Sequence, residues 1–290
     1  MNTIEKCVVC QKSELEEFLS LKDHMITQEE FTIVNCKNCG FHFTNPIPDK
    51  KDIGSYYKSE EYVSHSSSNK GLINYLYNVV RKRTLKQKVG WIQNAVNGKR
   101  LLDIGSGTGH FLRVAKENGF DGYGLEPDED ARNFAHKENH VRSCDQSELY
   151  NIDKNSADVI TMWHVLEHVY DLRKDIQRMH EILSAGGKLF VAVPNMNSYD
   201  ARYYKSFWAA YDVPRHLYHF QQKDIARLFM DLGFELEKVI PMKYDSYYVS
   251  MLSEKYKKRL SLFGVVIGWI SNRKAKKYGY SSQVYVLEKK

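Results

Sequence analysis

Leu101 to Phe111 reads LLDIGSGTGHF, an apolar run that leads directly into Asp-x-Gly-x-Gly-x-Gly. The apolar part reads as a buried strand. Three glycines at alternate positions then let the backbone turn tightly and let a ligand approach the main chain at contact distance. This combination constrains the fold to an open α/β sheet with its ligand at the carboxyl ends of the strands, where Asp103 stands. A helix-like stretch follows, and then Tyr123-Gly-Leu-Glu126-Pro127, a second short strand ending in an acid. Glu126 lies twenty-one positions after Gly105, near the roughly 20-residue separation at which a carboxylate meets a ribose diol. A pyrophosphate favours a site without negative charge, so Asp103 points instead to a cationic group on a nucleoside cofactor.

Residues 101–126 resemble the first two motifs of the class I S-adenosylmethionine-dependent methyltransferases (methyltransferase domain family 23-like). Ser156 to Val169, reading SADVITMWHVLEHV, is similar to that family's fourth strand and the loop after it. Leu183 to Asn195, ending in Pro-Asn, is similar to the segment that leads into and forms the fifth strand. The resemblance covers roughly residues 96–245. It implies a Rossmann-like, seven-stranded doubly wound α/β sheet with the last strand antiparallel, and S-adenosyl-L-methionine as cofactor. On this reading Gly105, Ser106, Gly107 and Gly109 shape the cofactor loop, Asp103 meets the ammonium and Glu126 the ribose. Leu125 and Pro127 wall the adenine, and Asp145 faces its exocyclic amine.

Cys7-Val-Val-Cys10 and Cys36-Lys-Asn-Cys39 are two knuckles separated by twenty-five residues. Without an export signal, four thiols at this spacing read as a structural, tetrahedral Zn²⁺ site rather than as disulfides. Gly40 helps the second knuckle fold back. Residues 1–48 are therefore expected to form a small zinc-ribbon module. Asn45-Pro-Ile-Pro48 ends the module, and residues 49–95, a tyrosine-rich strap and a helix, connect it to the sheet. The apolar positions Leu72, Tyr75, Leu76, Val79 and Val80 recur at helical spacing. The resemblance implies that the strap, with Tyr57 and Tyr62, lies over the cofactor; packing aromatics are an equal reading.

His164-Val-Leu-Glu167-His168 matches an inverted zinc-peptidase pattern. The preceding Asp158–Trp163 run reads as a buried strand, however, which places His164 at a strand end and argues against a peptidase helix. As a methyltransferase, the chain would present Trp163, His164, Glu167 and His168 at the cofactor rim. Either histidine could take a proton from an acceptor hydroxyl. Some quinone-pathway relatives place an acid-acid-His metal set here, and His164 stands where the first acid would be.

Beyond Pro194 the chain becomes aromatic through Tyr199, Trp208, Tyr211 and Val213-Pro-Arg-His-Leu-Tyr-His-Phe220. The resemblance marks residues 196–220 as an acceptor-side insertion, with Trp208, Tyr211, Arg215 and His216 as acceptor-binding residues and His216 also catalytic. The alternative is a buried aromatic cluster with Arg215 paired to an acid. Gln222–Leu232 reads as an amphipathic helix stopped by Gly233, and Phe234–Ile240 and Ser282–Glu288 as strands. Residues 254–278 form an apolar run flanked by bases. A core helix is the preferred reading and membrane-interface contact the other.

The chain of 290 residues, 42% hydrophobic, suffices for one large core and a small satellite. A net charge of +6 permits anionic substrates without demanding them. MNTIEKCVVC has no apolar signal region and no run reaches a membrane span, so a cytoplasmic location is expected. Together these features describe methyl transfer to a small hydroxylated acceptor such as a sugar derivative, aglycone or natural-product intermediate. An RNA methyltransferase is disfavoured because Glu14, Glu16, Glu17, Asp23, Glu29 and Glu30 make the ribbon acidic. A non-catalytic binding protein with a vestigial cofactor fold is the third reading.

Overall fold

The structure, a computed structural model, describes residues 1–57 and 72–290, and the side chains of the helix starting at Leu72 from residue 80 onward. The strap residue Tyr62, the Ser66–Asn69 break and the side chains of Leu72, Tyr75, Leu76 and Val79 lie outside the described residues.

Three N-terminal strands, β1 (Leu15–Lys22), β2 (Glu30–Cys36) and β3 (His42–Thr44), pair antiparallel in that order. Helix α1 (Leu72–Gln93) then leads into β4 (Arg100–Ile104), α2 (His110–Glu117), β5 (Asp121–Leu125) and α3 (Glu129–Lys137). The chain continues through β6 (Ser143–Cys144), β7 (Ala157–Trp163), α4 (Leu172–Ile182) and β8 (Leu183–Pro194). Within the insertion come α5 (Tyr199–Tyr204) and β9 (Tyr218–His219), and α6 (Gln222–Met230) and β10 (Phe234–Pro241) follow. Helices α7 (Asp245–Tyr256) and α8 (Leu262–Tyr278) precede the last strand, β11 (Ser282–Lys289).

The main sheet has the order β10-β11-β8-β7-β4-β5-β6. Strands β6, β5, β4, β7 and β8 run parallel, and β11 is antiparallel to both β8 and β10. The sheet is therefore the seven-stranded, doubly wound one that the family resemblance implies. Its crossover direction reverses between β4 and β7, so their carboxyl ends open a crevice. Both strands are almost wholly buried, which is why they read as continuous apolar runs rather than alternating ones.

Packing runs without a break across residue 48. Strand β9 extends the small N-terminal sheet, with Phe43 opposite Tyr218 and His42 opposite His219. Phe41, Phe43 and Cys36 share one core cluster with Leu217 and Phe220, and with Met162 and Val191 of the main sheet. Each such buried Phe or Leu side chain contributes about 1.5–3 kcal/mol. The N-terminal module is thus fastened to the insertion.

The C-terminal region differs from the expected single core helix over 254–278. It is a hairpin of two helices, broken where Lys258 takes a left-handed conformation, φ 54°, and the Arg259 amide bonds back to the Glu254 carbonyl. That is a glycine-type helix end made with lysine, so no glycine marks it. The buried residues of α8 are Gly264, Gly268, Ser271 and Ala275, while Leu262, Phe263, Val265, Val266 and Trp269 face outward. Small residues at i, i+4, i+7 and i+11 set the inward face, which a count of apolar residues cannot reveal. Among the described residues no helix is long and apolar enough to cross a membrane.

Candidate active site

The glycine loop joins β4 to α2. Gly105, Gly107 and Gly109 have φ of 70°, 51° and 77°, conformations that are costly for any residue with a Cβ. Their surroundings differ. A Cβ on Gly105 would meet Val165 at 2.3 Å and one on Gly109 would meet Val141 at 2.6 Å, whereas one on Gly107 would meet nothing within 4 Å. Gly105 and Gly109 seat the loop, and Gly107 leaves its open side free for a ligand. The Glu126 carboxylate reaches across it, accepting from the Gly107 amide at 2.8 Å and the Asp128 amide at 3.0 Å.

Asp103 is 1% exposed at the end of β4 and accepts a 2.6 Å hydrogen bond from Thr161 of the neighbouring β7. Burial pushes its carboxyl up to about 7, against the Thr161 bond and the attraction of Lys88. Lys88, near the end of α1, holds its ammonium 4.3 Å from the centre of the Trp163 ring. Burial lowers it to about 8, opposed by Asp245 and Asp103. A carboxylate and an ammonium at one strand end suit a zwitterionic amino-acid group. Sequence reading assigned no role to Lys88 or Thr161; a lysine on a basic helix and a threonine inside a buried strand carry no motif.

Several expected cofactor residues are engaged elsewhere. The Ser106 hydroxyl lies 3.0 Å from Ser143 in the interior, so its side chain turns away from the cradle, contrary to expectation. Asp145 is exposed, caps the 3₁₀ turn at Ser147 and pairs with Arg132 at 3.2 Å. Pro127 is exposed beside Glu126. Trp163 sits edge-to-face on Phe111, and its indole nitrogen is buried without a hydrogen-bond partner among the described residues.

Beyond β7 the chain brings four ionisable groups together. His164 has φ 60°, a position that stores about 1–3 kcal/mol of strain. Its Nε2 lies 3.1 Å from Asp245 and its Nδ1 3.5 Å from Glu167. Burial opposes a charge there, yet Asp245 and Glu167 together raise it to about 9. Carboxylates at both ring nitrogens favour the charged form, which suits His164 to a cation's part and not to the proton acceptor's part expected of it. Glu167 is fully buried, and both its oxygens lack a hydrogen-bond donor among the described residues. At 3.5 Å the His164 contact is an ion pair, and this, with His216 and His168, holds the carboxylate below its usual range despite burial.

His168 Nδ1 lies 2.9 Å from both the Arg215 carbonyl and the Tyr57 hydroxyl. A carbonyl only accepts, so Nδ1 carries the hydrogen and Nε2 the lone pair. Burial, then the charge of His216, pushes His168 down to about 4. His216 packs edge-to-face on His168, centroids 4.7 Å apart, and its Nδ1 donates to the Ala210 carbonyl at 2.9 Å. Its Nε2 faces Glu167 at 4.0 Å and Asp212 at 3.9 Å. Glu167, His168 and His216 also offer ligand atoms within 4.8 Å of one another. The His164 cation against the same carboxylate opposes a second positive ion there.

The aromatic insertion is a buried frame. Arg215, 2% exposed, donates to Asp23, Asp212 and the Tyr56 carbonyl. With its guanidinium consumed it has nothing left for an acceptor, contrary to the substrate-binding role expected of it. Asp23, expected among the acids of the ribbon surface, is itself buried in this pair. Trp208 is 2% exposed and donates to the buried Asp200 at 2.8 Å. Tyr211 is 4% exposed and packs against Trp208. Of the four expected acceptor residues, His216 alone stands in the titratable cluster.

The four N-terminal cysteines are free thiols, all Sγ atoms within 4.8 Å, with Cys7–Cys39 at 3.6 Å and Cys10–Cys36 at 3.5 Å. Bonds of ~2.3 Å in a tetrahedral zinc site put sulfurs about 3.8 Å apart, so this donor set fits zinc. The two knuckles repeat one backbone pattern: the Gln11 amide bonds to the Cys7 carbonyl as the Gly40 amide does to that of Cys36. Gln11 takes the left-handed conformation of Gly40 with φ 61°.

Comparison with known proteins bears on residues 79–239, more than half of the chain, which match the family model described as methyltransferase domain. The ubiquinone biosynthesis O-methyltransferase of Coxiella burnetii is 30% identical over 129 residues, 42% of this chain and 53% of that protein. The chain thus spans about half the length of the curated relatives it matches. Two solved structures share the fold. Magnesium protoporphyrin IX methyltransferase from Synechocystis PCC 6803, solved with bound S-adenosylhomocysteine, has a TM-score of 0.56 at 14% identity, covering 83% of this chain and all of that one. A SAM-dependent methyltransferase from Archaeoglobus fulgidus has a TM-score of 0.50 at 20% identity, covering 72% and 94%.

Proposed function

This chain belongs to the methyltransferase domain family, and on that premise we propose that it transfers the methyl group of S-adenosyl-L-methionine to a hydroxyl of a small-molecule acceptor. The observation that carries this reading is the cradle at the β4–β7 crevice: an open Gly107 flanked by the carboxylates of Asp103 and Glu126. When bound, the cofactor supplies an electrophilic methyl. Asp103 holds its ammonium, Lys88 its carboxylate and Glu126 its ribose hydroxyls. Tyr57 covers the His168 side.

On the acceptor side, His216 takes the hydroxyl proton at Nε2. Its Nδ1–H is fixed on Ala210, and Glu167 and Asp212 stabilise the imidazolium as it forms. His168 stays neutral and fixes Tyr57, while the His164 cation keeps Glu167 ionised. Positioning of the acceptor supplies the rest of the rate. Hydroxyl methylation and a small acceptor agree with the O-methyltransferase relative. The acidic residues of the N-terminal sheet disfavour nucleic acid. Cys7, Cys10, Cys36 and Cys39 hold a structural zinc that leaves no open coordination position.

Calorimetric titration with S-adenosylhomocysteine tests the reading. One site per chain is expected, with affinity sharply reduced in Glu126→Ala. No binding by folded protein would refute the proposal, and unchanged affinity in the variant would remove Glu126 from the cofactor.

A further inference from the structure

The C-terminal helices pack through their smallest residues. A Cβ on Gly264 would stand 2.4 Å from the Met251 nitrogen, and one on Gly268 2.8 Å from the Ser246 carbonyl oxygen. Ser246, Ser250 and Ser253 are buried on the facing side of α7. With the small residues turned inward, the large ones turn out. Leu262, Phe263, Val266 and Trp269 are 76%, 58%, 54% and 52% exposed, and Leu260 ahead of them is 72% exposed. Eight of the fourteen exposed large hydrophobics among the described residues fall between Tyr248 and Trp269. An ordinary surface helix has the reverse arrangement, and a concentration of this kind marks an interaction surface.

The charge around this stripe selects the partner. Residues 255–278 contain eight lysines and arginines and no acid. Lys258 and Arg259 stand before the stripe and Lys276 and Lys277 after it. Arg273 lies with its guanidinium 5.1 Å from the Trp269 ring. A second copy on this face would set basic ends against basic ends. An anionic lipid surface neutralises both ends, receives the apolar stripe between the headgroups, and seats Trp269 at the boundary.

We infer that α8 docks the protein, lying in the plane of the interface, onto membranes rich in anionic lipid. Helix α7 begins at Asp245, 3.1 Å from His164, so the docked hairpin adjoins the active site. The inference stands apart from the methyl-transfer reading and does not need it.

Flotation of the full chain with vesicles tests it. Binding is expected to vesicles of phosphatidylcholine and phosphatidylglycerol in equal amounts, to weaken as salt is raised, and to be absent with pure phosphatidylcholine. The double variant Leu262→Glu/Phe263→Glu, at exposed positions, should lose about tenfold or more in vesicle affinity while keeping the wild-type circular dichroism. Brominated lipid should quench wild-type tryptophan fluorescence more than that of Trp269→Phe. Failure to bind anionic vesicles would overturn the inference, as would binding unaffected by the double substitution. So would a concentration-dependent dimer that the double variant dissociates, which would give the face to a second copy.

Discussion

Arg215 and Asp23, 192 positions apart in the chain, form a buried two-pronged ion pair with contacts of 2.9 and 3.3 Å. The pair joins the N-terminal sheet to the loop that carries His216. Burial would raise the Asp23 carboxyl, but hydrogen bonding from Arg215 holds it below its usual value. The stability it contributes is therefore present above the unfolded carboxylate range and is lost as pH falls through the lower folded value.

Asp23→Ala should destabilise the protein by about 3 kcal/mol, the low end for breaking a buried pair because Asp212 remains as a partner. The same variant should bind S-adenosylhomocysteine normally and lose turnover, since the fault lies at His216. Thermal unfolding and calorimetry check both halves, and weakened cofactor binding would contradict the assignment.

Cys36→Ser should abolish stoichiometric zinc, measured by elemental analysis, and unfold β1 to β3. The metal accounts for about 10–16 kcal/mol of apparent folding free energy in modules of this kind. Because β3 pairs with β9, chelation of the wild type should also disorder the His216 loop, read as lost amide protection over residues 212–219. Retained protection after zinc removal would count against the coupling.

Cofactor affinity should pass through a maximum between about pH 7 and pH 8. Below about 7 Asp103 takes up a proton and loses its hold on the ammonium. Above about 8 Lys88 gives up its proton and loses its hold on the carboxylate. Asp103→Asn should remove the acid limb and Lys88→Met the alkaline one. An affinity that stays level from about pH 6 to about pH 9 would break the assignment.

His216→Ala should slow methyl transfer by about 10²–10⁴-fold with cofactor affinity unchanged. His168 should leave no inflection near the free imidazole value in the pH–rate profile, because burial and the charge of His216 hold it at about 4, neutral above that. Methyl transfer by His216→Ala at the wild-type rate would remove His216 from that role.

The features legible in the sequence were those coded locally. The glycine loop, Glu126 at its spacing, the strands β4, β7 and β11, and the paired cysteines each announce themselves within a few residues. The features that escaped depend on distant partners or on facing. Arg215 looked available for a ligand because Asp23 lies so far away in the chain. Trp208 and Tyr211 looked like a binding surface because aromatic content does not say which side of a ring is covered. Helix α8 looked like core because its apolar residues outnumber the small ones that make the contact. Lys88 was one base among several until α1 set it over Trp163.

Strand β3 and its partner β9 carry one more consequence, concerning the order of events when the chain is made. Thr44 bonds through its hydroxyl to the His216 carbonyl across 172 positions. The first forty-odd residues leave the ribosome long before that carbonyl does, and must wait with one sheet edge open. The acceptor wall therefore closes only after β9 has been made. Competence for chemistry arrives with β9, making the site a late-assembled check that β3 and β9 have met.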